Sequence, residues 1–126
     1  MSRTPINTDQ APAAIGPYSQ AIRHNDTIYI SGQIPLDPAT GEVVSDDIDA
    51  QIEQVFTNLN AVAEAAGSNL GNALKVTVFL VDLGNFAKVN EAMERYFTAP
   101  YPARAAVEVA GLPKGVQVEA DAVLCI

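Results

Sequence analysis

Residues 73–97 read ALKVTVFLVDLGNFAKVNEAMERYF, and the hydrophobic pattern changes from strand-like to helix-like within this stretch. Apolar residues alternate over residues 73–82, which predicts a long strand. One face of that strand carries Leu74, Val76, Val78 and Leu80. Over residues 85–97 the apolar residues recur at steps of three and four, which predicts an amphipathic helix. Its apolar stripe carries Phe86, Val89, Met93, Tyr96 and Phe97, with Asn90 beside it.

The segments on either side extend this strand–helix unit. Residues 46–66 show the same helical spacing, with Asp46 and Asp47 near the start and Gly67 just past the end, as helix caps favour. Residues 19–36 predict two strands around a turn at residues 24–26. Near the C-terminus, residues 103–110 and 116–125 predict two neighbouring strands joined by a Gly/Pro turn. Residues 1–17 are expected to form an extended or looped arm.

The predicted order of elements, ββ(β)αβαββ, favours a single α+β domain over residues 1–126. Two helices would cover one face of a single sheet. The other face would then expose apolar side chains, among them Phe79, Val81, Val107 and Tyr29. A patch of that size on a small domain predicts an oligomer interface.

The composition excludes several classes of protein. The formal net charge is −8, with 7 lysines and arginines, so we predict neither a nucleic-acid partner nor an anionic membrane partner. One cysteine, no apolar signal segment near the N-terminus and no apolar run of roughly 18 residues predict a cytoplasmic protein. The single histidine, His24, is expected in a surface turn, and no metal-ligand spacing is present, so no metal site is predicted.

Two charged residues on the last two predicted strands are the first candidates for a site. Period-two alternation places Arg104, Ala106 and Glu108 on one face of their strand, and Glu119 and Asp121 opposite the apolar side of theirs. We predict that Arg104 and Glu119 both lie on the face away from the helices. An arginine held by a strand suits bidentate binding of a carboxylate. From the pattern alone, a structural ion pair between Arg104 and Glu119 is the alternative.

The other polar candidates have structural explanations of their own. Glu108 and Asp121 are typical of solvated or interface charges. Tyr18 can pack the N-terminal arm, and Asn90 can form hydrogen bonds on a helix surface. Cys125 is expected in the core or at an interface, since no neighbour in sequence would lower the pKa of its thiol.

Four segments, in order along the chain, resemble the reactive intermediate deaminase family (RidA, also called the YjgF family). They are APAAIGPYSQA at 11–21, ISGQIPLDPATGEVV at 30–44, KVTVFLVDLGNFAKVNEAMERYF at 75–97 and PARAAVEVAGLPKGVQVEADA at 102–122. The resemblance covers about residues 8–126. Four motifs in the same order make it far more specific than any one of them would.

The resemblance implies a chorismate-mutase-like fold, in which a six-stranded mixed sheet carries two helices on one face. It implies a homotrimer with a barrel-like core and a pocket at each interface. The implied activity is hydrolysis of 2-imino acids, such as 2-iminopropanoate derived from 2-aminoacrylate and 2-iminobutanoate, or of their enamine tautomers. The products would be 2-oxo acids and ammonia. No cofactor and no metal would be needed.

Position by position, the resemblance also implies roles. Arg104 matches the arginine that grips the substrate carboxylate, and Glu119 matches the acid that positions or activates water. Tyr18 joins them as a catalytic candidate. The remaining pocket candidates are Ser31, Gly32, Asn90 and Ala106.

Two features depart from the family pattern. Ala106 stands where many deaminases of the family carry a cysteine, and the loop TAPYP at 98–102 is shorter than in well-known members. Both would alter the shape of the pocket. Two alternatives therefore stay open: a non-catalytic trimer that binds 2-oxo or amino acids, and an endoribonuclease, which the net charge of −8 disfavours.

Overall fold

A computed structural model describes residues 2–126 and contains six strands, two α-helices and three short 3-10 helices of three residues each. The strands are β1 (Thr4–Ile6), β2 (Ala21–His24), β3 (Thr27–Gln33), β4 (Ala73–Leu80), β5 (Ala103–Glu108) and β6 (Val118–Cys125). The helices are α1 (Ile48–Ala65) and α2 (Phe86–Tyr96). This confirms the predicted α+β class, with both helices within two residues of their predicted bounds.

The six strands form one mixed sheet in the order β1-β2-β3-β6-β4-β5. Every pairing is antiparallel except that of β4 with β5. The chain leaves β4, passes through α2 and returns as β5, and such a helical crossover joins parallel strands. The prediction that β5 and β6 are neighbours is therefore wrong, because β4 lies between them.

The core lies between the sheet and the two helices. Sheet residues Ile28, Val76, Val78, Leu80 and Leu124 are each at most 1% exposed. They share this core with α1 residues at the predicted helical spacing, which are Ile52, Val55, Phe56, Leu59, Val62 and Ala63. Helix α1 begins where the Asp47 carboxylate accepts a hydrogen bond from the Ala50 amide at 2.9 Å.

Two details of the strands differ from the sequence predictions. Leu74 is 49% exposed, because the register of β4 against β6 shifts between Ala73 and Lys75. The predicted N-terminal arm contains β1, a three-residue edge strand with Pro5 at its centre. Proline is tolerated at a sheet edge, since the amide it lacks has no ladder partner there.

Period-two alternation groups the residues of β5 correctly, but the predicted direction of each group is wrong. Arg104 pairs with Val76, whose side chain faces the helices, so Arg104 also faces them. Glu119 pairs with Phe79 on the other face of the sheet. Arg104 and Glu119 therefore lie on opposite faces, separated by β4, and the alternative of an ion pair between them is excluded within one chain.

The face away from the helices is uncovered in the single chain. We call it the open face; it carries Tyr29, Asp121, Thr77, Phe79, Val107 and Glu119. Tyr29 is 52% exposed and Val107 is 41% exposed. Within residues 2–126, neither helix has the length and apolar character needed to cross a bilayer.

Candidate functional site

Arg104 is held in place by side chains of helix α2. Its Nη1 donates a hydrogen bond to Asn90 Oδ1 and lies 3.6 Å from the sulfur of Met93. Its guanidinium carbon lies 4.6 Å from the centre of the Phe86 ring, which is a cation–π arrangement. These contacts hold the guanidinium in one position against α2, so the Arg104 side chain does not move freely in solvent.

The guanidinium faces a cavity of about 420 Å³. The cavity is lined by Asn90, Met93, Glu94, Tyr101, Pro102 and Arg104, and we call this group the arginine site. The two ion pairs of residues 2–126 join Lys88 to Asp49 and Arg95 to Glu53, so Arg104 has no carboxylate partner there. Since a guanidinium has five N–H donors, most of them remain free for a ligand such as a carboxylate.

A second group of candidates lies around the bulge in β3. The register between β3 and β6 shifts between Ile30 and Gln33, so Ser31 and Gly32 together oppose Asp121. Gly32 leaves room for Glu119, since a Cβ at this position would lie 3.0 Å from the carboxyl carbon of Glu119 and would overlap its Oε2. Gly32 also lines a cavity with Tyr18 and Gln33. We call Tyr18, Ser31, Gly32 and Glu119 the glutamate site.

The Glu119 carboxyl has a raised pKa. Burial on the open face is the main cause, because it disfavours the charged form, and the nearby Asp121 carboxylate adds to it. Burial also raises the pKa of Asp121, against the opposing effects of hydrogen bonding to Thr77 and of the Lys75 charge. A carboxyl group with a raised pKa can exchange protons closer to neutrality than an ordinary glutamate can.

The two hydroxyl groups of the glutamate site differ in what they can still bind. Ser31 Oγ donates a 2.6 Å hydrogen bond to the Ser19 carbonyl, so its oxygen is left as an acceptor. The Tyr18 hydroxyl oxygen accepts from the Ile15 amide at 3.4 Å, so its proton is free to be donated. Tyr18 is 53% exposed.

A buried glutamine holds the segment that carries Tyr18. Gln20 is 3% exposed, and its Oε1 accepts from the Thr8 amide at 2.7 Å. Its Nε2 donates to the carbonyls of Thr8, Ala11 and Pro12. These bonds tie the N-terminal arm to the start of β2, and they fix the arm beside the glutamate site.

The structure thus divides the seven predicted site residues into two groups. Asn90 and Arg104 come together on the helix side, while Tyr18, Ser31, Gly32 and Glu119 come together around the β3 bulge. Ala106 shares the face of Arg104, as predicted from alternation, and packs against the core.

Other charged and reactive residues have structural partners. The Glu108 carboxylate accepts a hydrogen bond from the Leu83 amide at 3.0 Å and so holds the turn that follows β4. His24 Nδ1 lies 3.0 Å from the Ser2 carbonyl, and Cys125 Sγ lies 3.6 Å from the Asn72 carbonyl. Within residues 2–126, no three His, Cys, Asp or Glu side chains are grouped closely enough to hold a metal ion.

Three residues that the structure places at these sites are not among the site residues predicted from the sequence. Phe86 lies beneath the guanidinium, Tyr101 lines the arginine site, and Lys114 lines the cavity of Tyr18. The spacing of four between Phe86 and Asn90 could have indicated the first, since both lie on one face of α2. The loop that contains Tyr101 is predicted to shape the pocket because it departs from the family pattern, whereas for Lys114 the residue pattern carries no signal.

Comparisons with known proteins agree with this architecture. The family model described as Endoribonuclease L-PSP matches residues 8–126. The RutC family protein y4sK of Sinorhizobium fredii is 52% identical over 122 residues, which cover 97% of each chain. The human 2-iminobutanoate/2-iminopropanoate deaminase is 47% identical over 121 residues, which cover 96% of this chain and 88% of that protein. The crystal structure of RidA from an Antarctic Psychrobacter matches with a TM-score of 0.95 at 51% identity, covering 98% of this chain and all of that one.

The fold and the sequence together define a six-stranded α+β domain of the RidA type. The chain belongs to the RidA family, whose model carries the description Endoribonuclease L-PSP. This confirms the resemblance of the four sequence motifs.

Proposed function

We propose that this protein hydrolyses 2-imino acids and their enamine tautomers to 2-oxo acids and ammonia, at sites formed between the subunits of a homotrimer. One observation carries the proposal: the Arg104 guanidinium is fixed by Asn90 and Phe86, faces a cavity and has no carboxylate partner within residues 2–126. The names of relatives support it, since the human and bovine proteins called 2-iminobutanoate/2-iminopropanoate deaminase are 47% and 48% identical to the chain.

The substrate carboxylate binds at the arginine site. A planar guanidinium offers two parallel N–H groups to a carboxylate, which fixes both the position and the orientation of the ligand. Phe86 restricts the guanidinium from one side and Asn90 from its edge. Because the site is formed before the ligand arrives, little side-chain entropy is lost on binding.

The two groups of residues meet across a subunit interface. Arg104 and Glu119 lie on opposite faces of one sheet, and a 2-imino acid is too small to contact both in the same chain. A site that contains both therefore takes Arg104 from one subunit and Glu119 from its neighbour. The exposed Tyr29 and Val107 of the open face supply the apolar surface through which subunits would pack.

The chemistry follows from the groups of the glutamate site. The Glu119 carboxylate accepts a proton from water as the water oxygen bonds to the imine carbon, and that proton is passed to the nitrogen. Ser31 Oγ accepts a hydrogen bond from the N–H group, and the Tyr18 hydroxyl donates to the new oxygen. Glu119 then accepts the proton of the new hydroxyl group and passes it to the nitrogen as the carbon–nitrogen bond breaks, so that the imine and one water become a 2-oxo acid and ammonia.

A coupled assay tests the proposal. A threonine dehydratase releases the transient imine in the presence of semicarbazide, and the semicarbazone is followed by absorbance. We expect added protein to lower the initial rate of semicarbazone formation and to raise the yield of free 2-oxobutanoate by a matching amount. Trapping that is unaffected at any protein concentration would contradict it.

A second candidate function is a binding trimer without catalysis. It is favoured by the fact that the arginine site is complete without Glu119, so a 2-oxo acid could bind whether or not hydrolysis occurs. Binding of 2-oxobutanoate by calorimetry, together with unchanged trapping in the coupled assay, would establish this second function instead.

The proposed reaction requires no cofactor or metal, and we propose that it takes place in the cytoplasm. RNA cleavage is disfavoured by the net charge of −8, because a protein with a net negative charge repels the phosphates of RNA.

A further inference from the structure

Lys114 lies on the wall of the cavity that Tyr18 and Gly32 also line. Its backbone is in the left-handed region, with φ 57° and ψ 19°. Among non-glycine residues 2–126, only Asn25 shares a positive φ. Lysine is disfavoured in this conformation compared with glycine or asparagine, and such strain is concentrated at ligand sites.

The ammonium group of Lys114 uses only one of its hydrogen-bond donors. Its Nζ donates to the Gly41 carbonyl at 3.2 Å, which holds the side chain across the loop that precedes α1. The two ion pairs of residues 2–126 use other cations, so Lys114 carries an uncompensated charge there. An ammonium has three N–H donors, and two of them remain free for an anion.

The rest of the cavity wall is mostly apolar. It includes Pro12, Ile15, Ile34, Leu36 and Pro113. Ile15 is 77% exposed, so it has much apolar surface left to bury against a ligand. An apolar wall with one cation suits a ligand that has a short aliphatic chain ending in a negative group.

We propose that Lys114 binds a carboxylate at the end of the substrate's side chain, so that the site accepts dicarboxylic 2-imino and 2-oxo acids. This inference rests on the proposed function, in which Arg104 of a neighbouring subunit holds the carboxylate next to the reacting carbon. The side chain of the substrate then extends along the apolar wall toward Lys114. In a protein of net charge −8, a local cation is what makes a doubly negative ligand acceptable.

Two probes of equal chain length test the inference. 2-Oxoglutarate and 2-oxopentanoate each have five carbons and differ only in a terminal carboxylate or methyl group. Calorimetry on the intact protein gives both dissociation constants for wild type, Lys114→Met and Lys114→Arg. Since all three residues have a side chain at the left-handed position, the backbone strain is matched.

Lys114→Met should weaken the binding of 2-oxoglutarate about fivefold more than the binding of 2-oxopentanoate, because a solvent-accessible ion pair is lost. Lys114→Arg should keep most of the wild-type preference, because the charge is retained. Equal changes for the two acids, or no change for either, would overturn the inference and leave Lys114 as a tether for the Gly41 loop.

The result also separates this inference from the proposed function. If the preference changes as expected while the protein fails to lower imine trapping, Lys114 has its role and the deaminase proposal is wrong. If wild type binds neither acid but lowers trapping, the inference about Lys114 is wrong and the proposed function stands. If it binds both and lowers trapping, but Lys114→Met leaves the ratio unchanged, only the inference about Lys114 is overturned.

Discussion

Replacing Gly32 by alanine should separate hydrolysis from carboxylate binding. The new Cβ would lie 3.0 Å from the Glu119 carboxyl carbon and would overlap Oε2, so the carboxylate must move. A displacement of about 1 Å in a catalytic group costs on the order of 100-fold in rate. We therefore expect Gly32→Ala to lower kcat in the coupled imine assay by about 100-fold. Binding of 2-oxobutanoate at the arginine site should change much less, because the substitution does not touch Arg104.

Gly111→Ala is the matched control. It adds the same methyl group at another glycine without a left-handed φ, and beyond the two neighbouring residues no atom lies within 4 Å of its Cβ. It should keep wild-type activity and stability. If Gly32→Ala also keeps activity close to that of wild type, then the position of the Glu119 carboxylate does not matter and the assignment of Glu119 is wrong.

Three further predictions follow from the same contacts. Arg104→Ala should weaken the binding of 2-oxobutanoate about 100-fold, because charged hydrogen bonds to the ligand are lost. The mass of the protein assembly in solution should stay unchanged, and a change in that mass would show that Arg104 has a structural role. Burial raises the pKa of Glu119 above 4.5, so folding is penalised as the group ionises. Glu119→Gln should therefore raise Tm relative to wild type by an amount that grows as the pH rises from 4.5 to the raised pKa and then stays constant, with no gain below pH 4.5; an advantage independent of pH would contradict this. Gln20→Ala should cost about 2 kcal/mol of unfolding free energy in urea, because its buried and partly buried partners on the arm lose their hydrogen bonds, whereas exposed Gln10→Ala should cost almost nothing.

Much of the fold can be predicted because burial follows the periodicity of the sequence. Ile28 and Ile30 alternate with the exposed Tyr29, and Val55, Phe56 and Leu59 recur at helical spacing, so both patterns point to the core. The register shift that exposes Leu74 has no such signal, since it arises from how β4 meets β6.

The pattern could not predict on which side of the sheet Arg104 lies. Alternation shows which residues share a face, but a strand needs a clear apolar side to show which face is buried. The more apolar face of β5 in sequence carries Ala105 and Val107, yet in the structure this is the open face, where Val107 is 41% exposed, so the pattern favours the wrong side. The pairing of Arg104 with Val76 determines on which side of the sheet Arg104 lies. This pairing depends on the crossover through α2, which places β5 beside β4 instead of β6.

The separation of the candidate site into two groups was also beyond the pattern. The sequence contained Arg104, Glu119, Tyr18 and Asn90 as candidates, with nothing to show that one chain holds them on two faces. The proposed site between subunits rests on this separation, which becomes visible only with the strand order.

Complementation between two inactive variants tests the shared site most directly. Arg104→Ala and Glu119→Gln proteins are unfolded together in urea, refolded as a mixture and assayed for imine hydrolysis, with wild type treated in the same way. In a ring of three subunits mixed at random, about one quarter of the interfaces would pair an intact Arg104 with an intact Glu119. We therefore expect the mixture to recover about a quarter of the wild-type activity, while each variant refolded alone stays inactive. A mixture no more active than its parents would contradict a site shared between subunits.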